Sequence, residues 1–171
     1  MNRISVVSLD KKLRKFEKSI KSAALKTLKI LKKNGVEADI YLIGDRQMKF
    51  LNKKFRGKDK TAAILSFEEP RNFIYPKSQF KRIGEIYMSI PHIKRQAVDS
   101  EITDYRLLIV KLLIHGFLHL FGYSHKRKND RIKMEKLEQA LSKEIKYSNQ
   151  RQRVIQRPGN KEKRSNFRLS N

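Results

Sequence analysis

The chain has 171 residues, with 41 Lys+Arg against 17 Asp+Glu and a formal charge of +24, which excludes an acidic or neutral enzyme and favours a polyanionic partner: RNA or DNA first, an anionic membrane face second. That length fits one domain of common size with an appendage and excludes two large domains. With 39% hydrophobic residues and no cysteine, the chain can bury a core, disulfides and thiolate metal sites are excluded, and any metal must be held by His, Asp or Glu.

Residues 3–8 are rich in β-branched side chains and read as a first strand. Asp10 is placed to cap a helix whose apolar positions, Leu13, Phe16, Ile20, Ala24, Leu28 and Leu31, recur every three or four residues until Asn34-Gly35 stops it. Val36, Ala38, Ile40 and Leu42 then alternate with Glu37, Asp39 and Tyr41, the pattern of a half-buried strand, and Gly44-Asp45 opens a short helix carrying Met48 and Leu51. Residues 63–67 and 83–89 predict two more strands, separated by a loop with Pro70, Asn72 and Pro76 that is long enough to be functional. From Pro91 the pattern is helical, over residues 91–98, then from Thr103 or Asp104 to Phe121, then 129–145 with Met134, Leu137, Leu141 and Ile145 on one side.

The order predicts an α+β domain over residues 1–146, with a sheet of about four strands and about five helices. Beyond Lys146, residues 147–171 hold seven Lys+Arg against the single Glu162 and read as a disordered basic tail, either an arm for a polyanion or a solvated extension. The apolar run from Leu107 to Leu120 is broken by Lys111 and His115, so the expectation is a soluble, cytoplasmic protein with no membrane partner.

Three of the four histidines lie within eleven residues, His115-Gly116-Phe117-Leu118-His119-Leu120-Phe121-Gly122-Tyr123-Ser124-His125. On a helix, residues four apart are offset by about 40°, so His115 and His119 can share one cation. Gly122 lets the chain turn back and bring His125 to a third side. This is the ligand spacing of metzincin zinc sites, three neutral imidazoles with one position open for water. Where H-E-x-x-H peptidases carry a Glu general base, this chain has Gly116, which argues against peptidase chemistry. His92 stands apart on another element and reads as a surface residue.

The same segment resembles the signature H-G-x-L-H-L-x-G-Y-D-H of the YbeY endoribonucleases, bacterial factors of ribosomal RNA maturation and ribosome quality control. Ten of eleven positions agree, counting two wild cards, with Ser124 in place of Asp. A second family signature, L-N-x-x-[YF] followed by R-G-K-D-K-P-T-D-V-L-S-F, is similar to LNKKFRGKDKTAAILSF from Leu51 to Phe67, and G-D-I-x-[IL]-S corresponds to Gly84-Glu85-Ile86-Tyr87-Met88-Ser89. The resemblance implies a zincin-like (metalloprotease-like) fold with a small mixed sheet. It implies zinc, or another divalent transition metal, on His115, His119 and His125, and a role in RNA cleavage for Arg56. A guanidinium near a metal can hold a phosphodiester in two hydrogen bonds, and Lys58 and Lys60 can hold neighbouring phosphates.

The implied activity is that of a metal-dependent endoribonuclease preferring single strands, acting on the 3′ end of precursor small-subunit ribosomal RNA, with the small ribosomal subunit as partner. Two acidic positions of the family are absent, since P-T-D is Thr61-Ala62-Ala63 here and Y-D-H is Tyr123-Ser124-His125. Carboxylates beside metal-binding imidazoles orient them, so these departures predict weaker metal binding and reduced activity. Ser124 and Glu85 are the candidates for orienting the ligands in their place. The competing readings are a catalytically weak, zinc-stabilised RNA-binding factor of ribosome assembly and, more remotely, a metallopeptidase.

Overall fold

The computed structural model describes residues 1–70, 78–100, 104–125 and 128–155, with the backbone alone for 142 and 144–155. Four strands, β1 (Arg3–Ser8), β2 (Val36–Ile43), β3 (Ile64–Glu68) and β4 (Lys81–Ser89), form one sheet in the order β1-β2-β4-β3. The first three of these neighbours run parallel and β3 closes the edge antiparallel to β4. Among the described residues there are five α-helices: α1 (Glu17–Ile30), α2 (Asp45–Arg56), α3 (Ile90–Asp99), α4 (Tyr105–Leu120) and α5 (Lys128–Ile155). The fold is the expected α+β arrangement with a mixed four-stranded sheet.

Strand alternation divides the sheet's burial between two faces. Ala38, Ile40, Leu42, Ile86 and Met88 are buried in the main core with α1, α3 and α4. On the other face Ile43 and Leu65 meet Met48 of α2, flanked by Tyr41, Phe67 and Tyr87. Helix α4 is apolar nearly all round because it is covered twice: Leu113 and Phe117 enter the main core, while Ile114 and Leu118 pack with Met134 and Leu141 of α5. Each such buried Leu or Ile contributes roughly 1.5–3 kcal/mol.

Gly116 sits where α4 lies close against the sheet. A Cβ there would stand 2.9 Å from Ile64 Cδ1, 3.0 Å from Ser66 Oγ and 3.1 Å from Ile86 Cδ1. The residue after the first histidine therefore faces strand β3 and the core, and no general base can be supplied from it.

Some boundaries depart from the sequence pattern. The helix expected from Asp10 begins instead as a 3₁₀ segment, Lys11–Phe16, whose N-terminus Asp10 caps by accepting from the Lys12 N–H at 2.9 Å. Lys11, Lys12, Arg14 and Lys15 are cations where a helix dipole favours anions, and the α-helix proper starts at Glu17. The Glu17 carboxylate also accepts from the Ser8 N–H at 2.9 Å, tying α1 to the end of β1. At the other end of the chain, the α5 backbone continues to Ile155, past the composition change at Lys146. The predicted β3–β4 loop residues Asn72 and Pro76, and the tail beyond residue 155, lie outside the described residues.

Candidate metal centre

Helix α4 carries His115 and His119 one turn apart and ends in a Schellman turn. The Tyr123 N–H donates to the Leu118 carbonyl at 3.0 Å and the Gly122 N–H to the His119 carbonyl at 2.8 Å. Gly122 has φ +85°, a left-handed conformation that a side chain would strain. This turn sends the chain back over the end of α4, so that the His125 ring lies 5.2 Å from that of His115 and 5.3 Å from that of His119, centroid to centroid. One nitrogen from each of the three rings lies within 4.8 Å of the others.

Hydrogen bonds fix which nitrogens face inward. His115 Nδ1 is 2.7 Å from Glu138 Oε1 on α5, and His119 Nδ1 is 2.9 Å from the Tyr123 carbonyl oxygen. Both acceptors have only lone pairs to offer, so each Nδ1 carries the proton and each Nε2 presents a lone pair. The two Nε2 atoms face each other at 3.1 Å. Opposed lone pairs at that distance call for a cation, and two nitrogens on a tetrahedral zinc stand roughly 3.3 Å apart. The donor set therefore fits a transition metal, and these three histidines can hold one. Burial pushes the His119 imidazole below the ordinary histidine value. The neighbouring His115 adds to this, the Tyr123 carbonyl opposes it, and the charges of His125 and Arg56 complete the lowering. Low basicity keeps His119 neutral, the form a metal binds.

Arg56 is the last residue of α2 and lies near enough for its charge to act on His119. Its loop is built by Asn52, a buried polar residue whose Nδ2 donates to the Lys60 carbonyl at 2.7 Å. Gly57, at φ 66°, caps the helix, and the Lys58 N–H returns to the Asn52 carbonyl at 3.3 Å. Lys58 and Lys60 are both exposed on this loop.

The two residues proposed from sequence to orient the ligands do not do so. Glu85 lies on the opposite face of the sheet from its neighbour Ile86, which approaches Gly116. Its carboxylate bonds to Arg82 Nη2 at 3.2 Å and accepts from the Tyr87 hydroxyl at 2.9 Å. Ser124, half-buried between Tyr123 and His125, makes no hydrogen bond among the described residues. The orienting groups are Glu138 and the Tyr123 carbonyl. Only a weak signal marked Glu138: it follows Leu137 and stands one turn beyond Met134, on the border of the apolar stripe of α5.

Residues 2–146 match the family model described as Endoribonuclease YbeY. A relative from Persephonella marina of that name is 40% identical over 114 residues, 65% of this chain and 71% of the relative. Another of that name, from Sulfurihydrogenibium sp., is 34% identical over 118 residues, 69% and 75% of the two chains. The solution structure of TM1509 from Thermotoga maritima superposes with a TM-score of 0.51 at 25% identity, over 86% of this chain and 93% of that one. By the match over nearly its whole length and by these relatives, the chain belongs to the YbeY family.

Proposed function

We propose that this protein is a metal-dependent endoribonuclease that prefers single strands, and that it trims the 3′ end of precursor small-subunit ribosomal RNA in the cytoplasm and serves ribosome quality control. The observation that carries this reading is the approach of the His115 and His119 Nε2 atoms to 3.1 Å with the His125 ring beside both, in a chain of the YbeY family. His115, His119 and His125 would hold zinc or a similar divalent ion, which when bound polarises a phosphoryl oxygen or a water. Arg56 holds the scissile phosphodiester through its planar fork and stabilises the charge that builds on it. Lys58 and Lys60 hold phosphates on either side, within the general attraction of a +24 chain for RNA. On this reading residues 1–146 are the catalytic body and residues 147–171 a basic extension that adds affinity.

A second reading is favoured by one specific feature, the loss of two carboxylates, at Ala63 and Ser124, together with a hydroxyl at Ala62. It makes the protein an RNA-binding assembly factor on the small ribosomal subunit, with zinc holding the α4–α5 junction together. The two are separated by incubating an end-labelled single-stranded precursor RNA with zinc-loaded protein, with and without chelator. Chelator-sensitive cutting supports the enzyme. RNA binding without cutting, by protein that retains its metal, supports the assembly factor. A peptidase reading lacks the Glu base of H-E-x-x-H, whose position is Gly116, facing the sheet.

A further inference from the structure

Two phenylalanines on α2 are left in solvent although the chain has an apolar core to bury them in: Phe50 is 62% and Phe55 is 56% exposed. They form one patch with Lys54, whose Nζ lies 5.9 Å from the Phe50 ring centroid and 5.5 Å from that of Phe55. Phe55 is braced from behind. Its ring meets Phe67 of β3 edge-on at 5.0 Å, Phe67 meets Tyr87 of β4 at 5.6 Å, and Tyr87 stacks on Tyr41 of β2 at 4.9 Å. A ring held by such a row keeps its place while more than half of it stays in solvent, with the flexible Lys54 ammonium over it, so little conformational entropy remains to be lost when a flat ligand stacks on it.

The surroundings say which flat ligand. Residues 49–60 hold six Lys+Arg and one acid, Asp59. Asp59 is engaged by Lys49 at 3.6 Å and Lys53 at 3.8 Å, on the same segment that ends in Arg56, Lys58 and Lys60. Aromatic faces interleaved with cations are the elements of a single-strand site, where bases stack on rings and the backbone follows the charge. Phe55 and Arg56 are successive residues at the end of α2 and point about 100° apart, Phe55 toward Phe67 and Tyr87 on the sheet face away from Gly116, so a strand with a phosphate on Arg56 reaches Phe55 by following the basic end of α2 around the β3 edge.

Resting on the reading of this protein as a ribonuclease, we infer that Phe55, supported by Phe50 and Lys54, is a stacking site for an unpaired nucleobase of the strand that flanks the cleavage site, and that it selects single-stranded over double-stranded RNA. A base within a duplex has both faces covered and cannot use the site; an unpaired base can.

The test uses the full chain, an uncleavable 2′-O-methyl single-stranded RNA carrying 2-aminopurine, and a hairpin duplex of the same length. Phe55→Leu is expected to weaken single-strand binding roughly tenfold, leave duplex binding within about twofold, and abolish the stacking-dependent quenching of 2-aminopurine. Phe55→Tyr should retain all three properties, and Phe50→Leu should show a smaller loss in the same direction, which reads out even if Phe55→Leu melts early. Equal single-strand affinity and quenching in wild type and Phe55→Leu would overturn the inference and leave the patch to a protein partner. A proportional loss on both RNAs would overturn it too. Because the RNA is uncleavable, a protein that stacks the base but cuts nothing contradicts only the catalytic reading, whereas one that cuts normally without stacking contradicts only this inference.

Discussion

Glu138 on α5 binds Nδ1 of His115 on α4 at 2.7 Å, so the helix that closes the core also aims a candidate metal ligand. Replacing Glu138 by Gln keeps an acceptor but removes its charge, and replacing it by Ala removes both. Loss of such an orienting partner typically costs 10- to 100-fold in metal affinity. Competition against a chromophoric chelator should therefore rank the proteins wild type, then Glu138→Gln, then Glu138→Ala. Equal affinities would show that α5 does not set the ligand.

Much of this centre was legible because helical periodicity and a turn glycine are local properties. The four-residue spacing of His115 and His119, and the break at Gly122, suffice to bring three rings together. What was not legible is which side chains meet across elements. Glu85 reads as a neighbour of the site only along the chain; strand alternation turns it to the far face, where Arg82 and Tyr87 hold it. Burial and the bond to Glu85 push that tyrosine hydroxyl well above its ordinary value, as expected of a settled structural pair. Glu138 was hidden for the complementary reason, since its role depends on α5 packing along α4. The 3₁₀ start of the first helix escaped because its apolar spacing continues unbroken into α1 while its hydrogen bonds do not.

Metal should stabilise the fold through the α4–α5 junction. A ligand present at a hundred times its dissociation constant adds about 2.7 kcal/mol, which in a domain of this size corresponds to a melting shift on the order of 5–10 °C. Differential scanning calorimetry with zinc and with excess chelator should show that shift in wild type and none in His119→Ala.

Asn52 organises the loop that presents Arg56, Lys58 and Lys60. Asn52→Ala removes its bond to the Lys60 carbonyl and leaves a small void beneath α2, and should cost about 1–2 kcal/mol in urea unfolding. RNA affinity should fall with it while metal affinity stays unchanged, since no ligand touches Asn52. A variant with normal RNA binding would show that the loop holds its shape without this residue.

Asp45 links α2 to α3 and to the end of β4. Burial works against its charged form, but the Ser89 hydroxyl, donating at 2.6 Å, and the guanidinium of Arg95 overcome this and hold the carboxyl below its ordinary 3.8. A lowered folded-state value means that the stabilisation is complete above the unfolded value and is lost as pH falls through the folded one. Between pH 5 and pH 2.5, wild type should therefore lose more stability than Asp45→Asn. Parallel pH profiles in urea titrations would remove Asp45 from the acid response.

On the proposed function, the three histidines and Arg56 form one reactive site on RNA. The most direct measurement is single-turnover cleavage of a labelled single-stranded RNA by zinc-loaded wild type, His119→Ala and Arg56→Ala, purified identically. Wild type should show chelator-sensitive cutting, His119→Ala none, and Arg56→Ala a loss of roughly 100-fold or more with its metal retained. Cutting undiminished by either substitution, or untouched by chelator, would overturn that assignment.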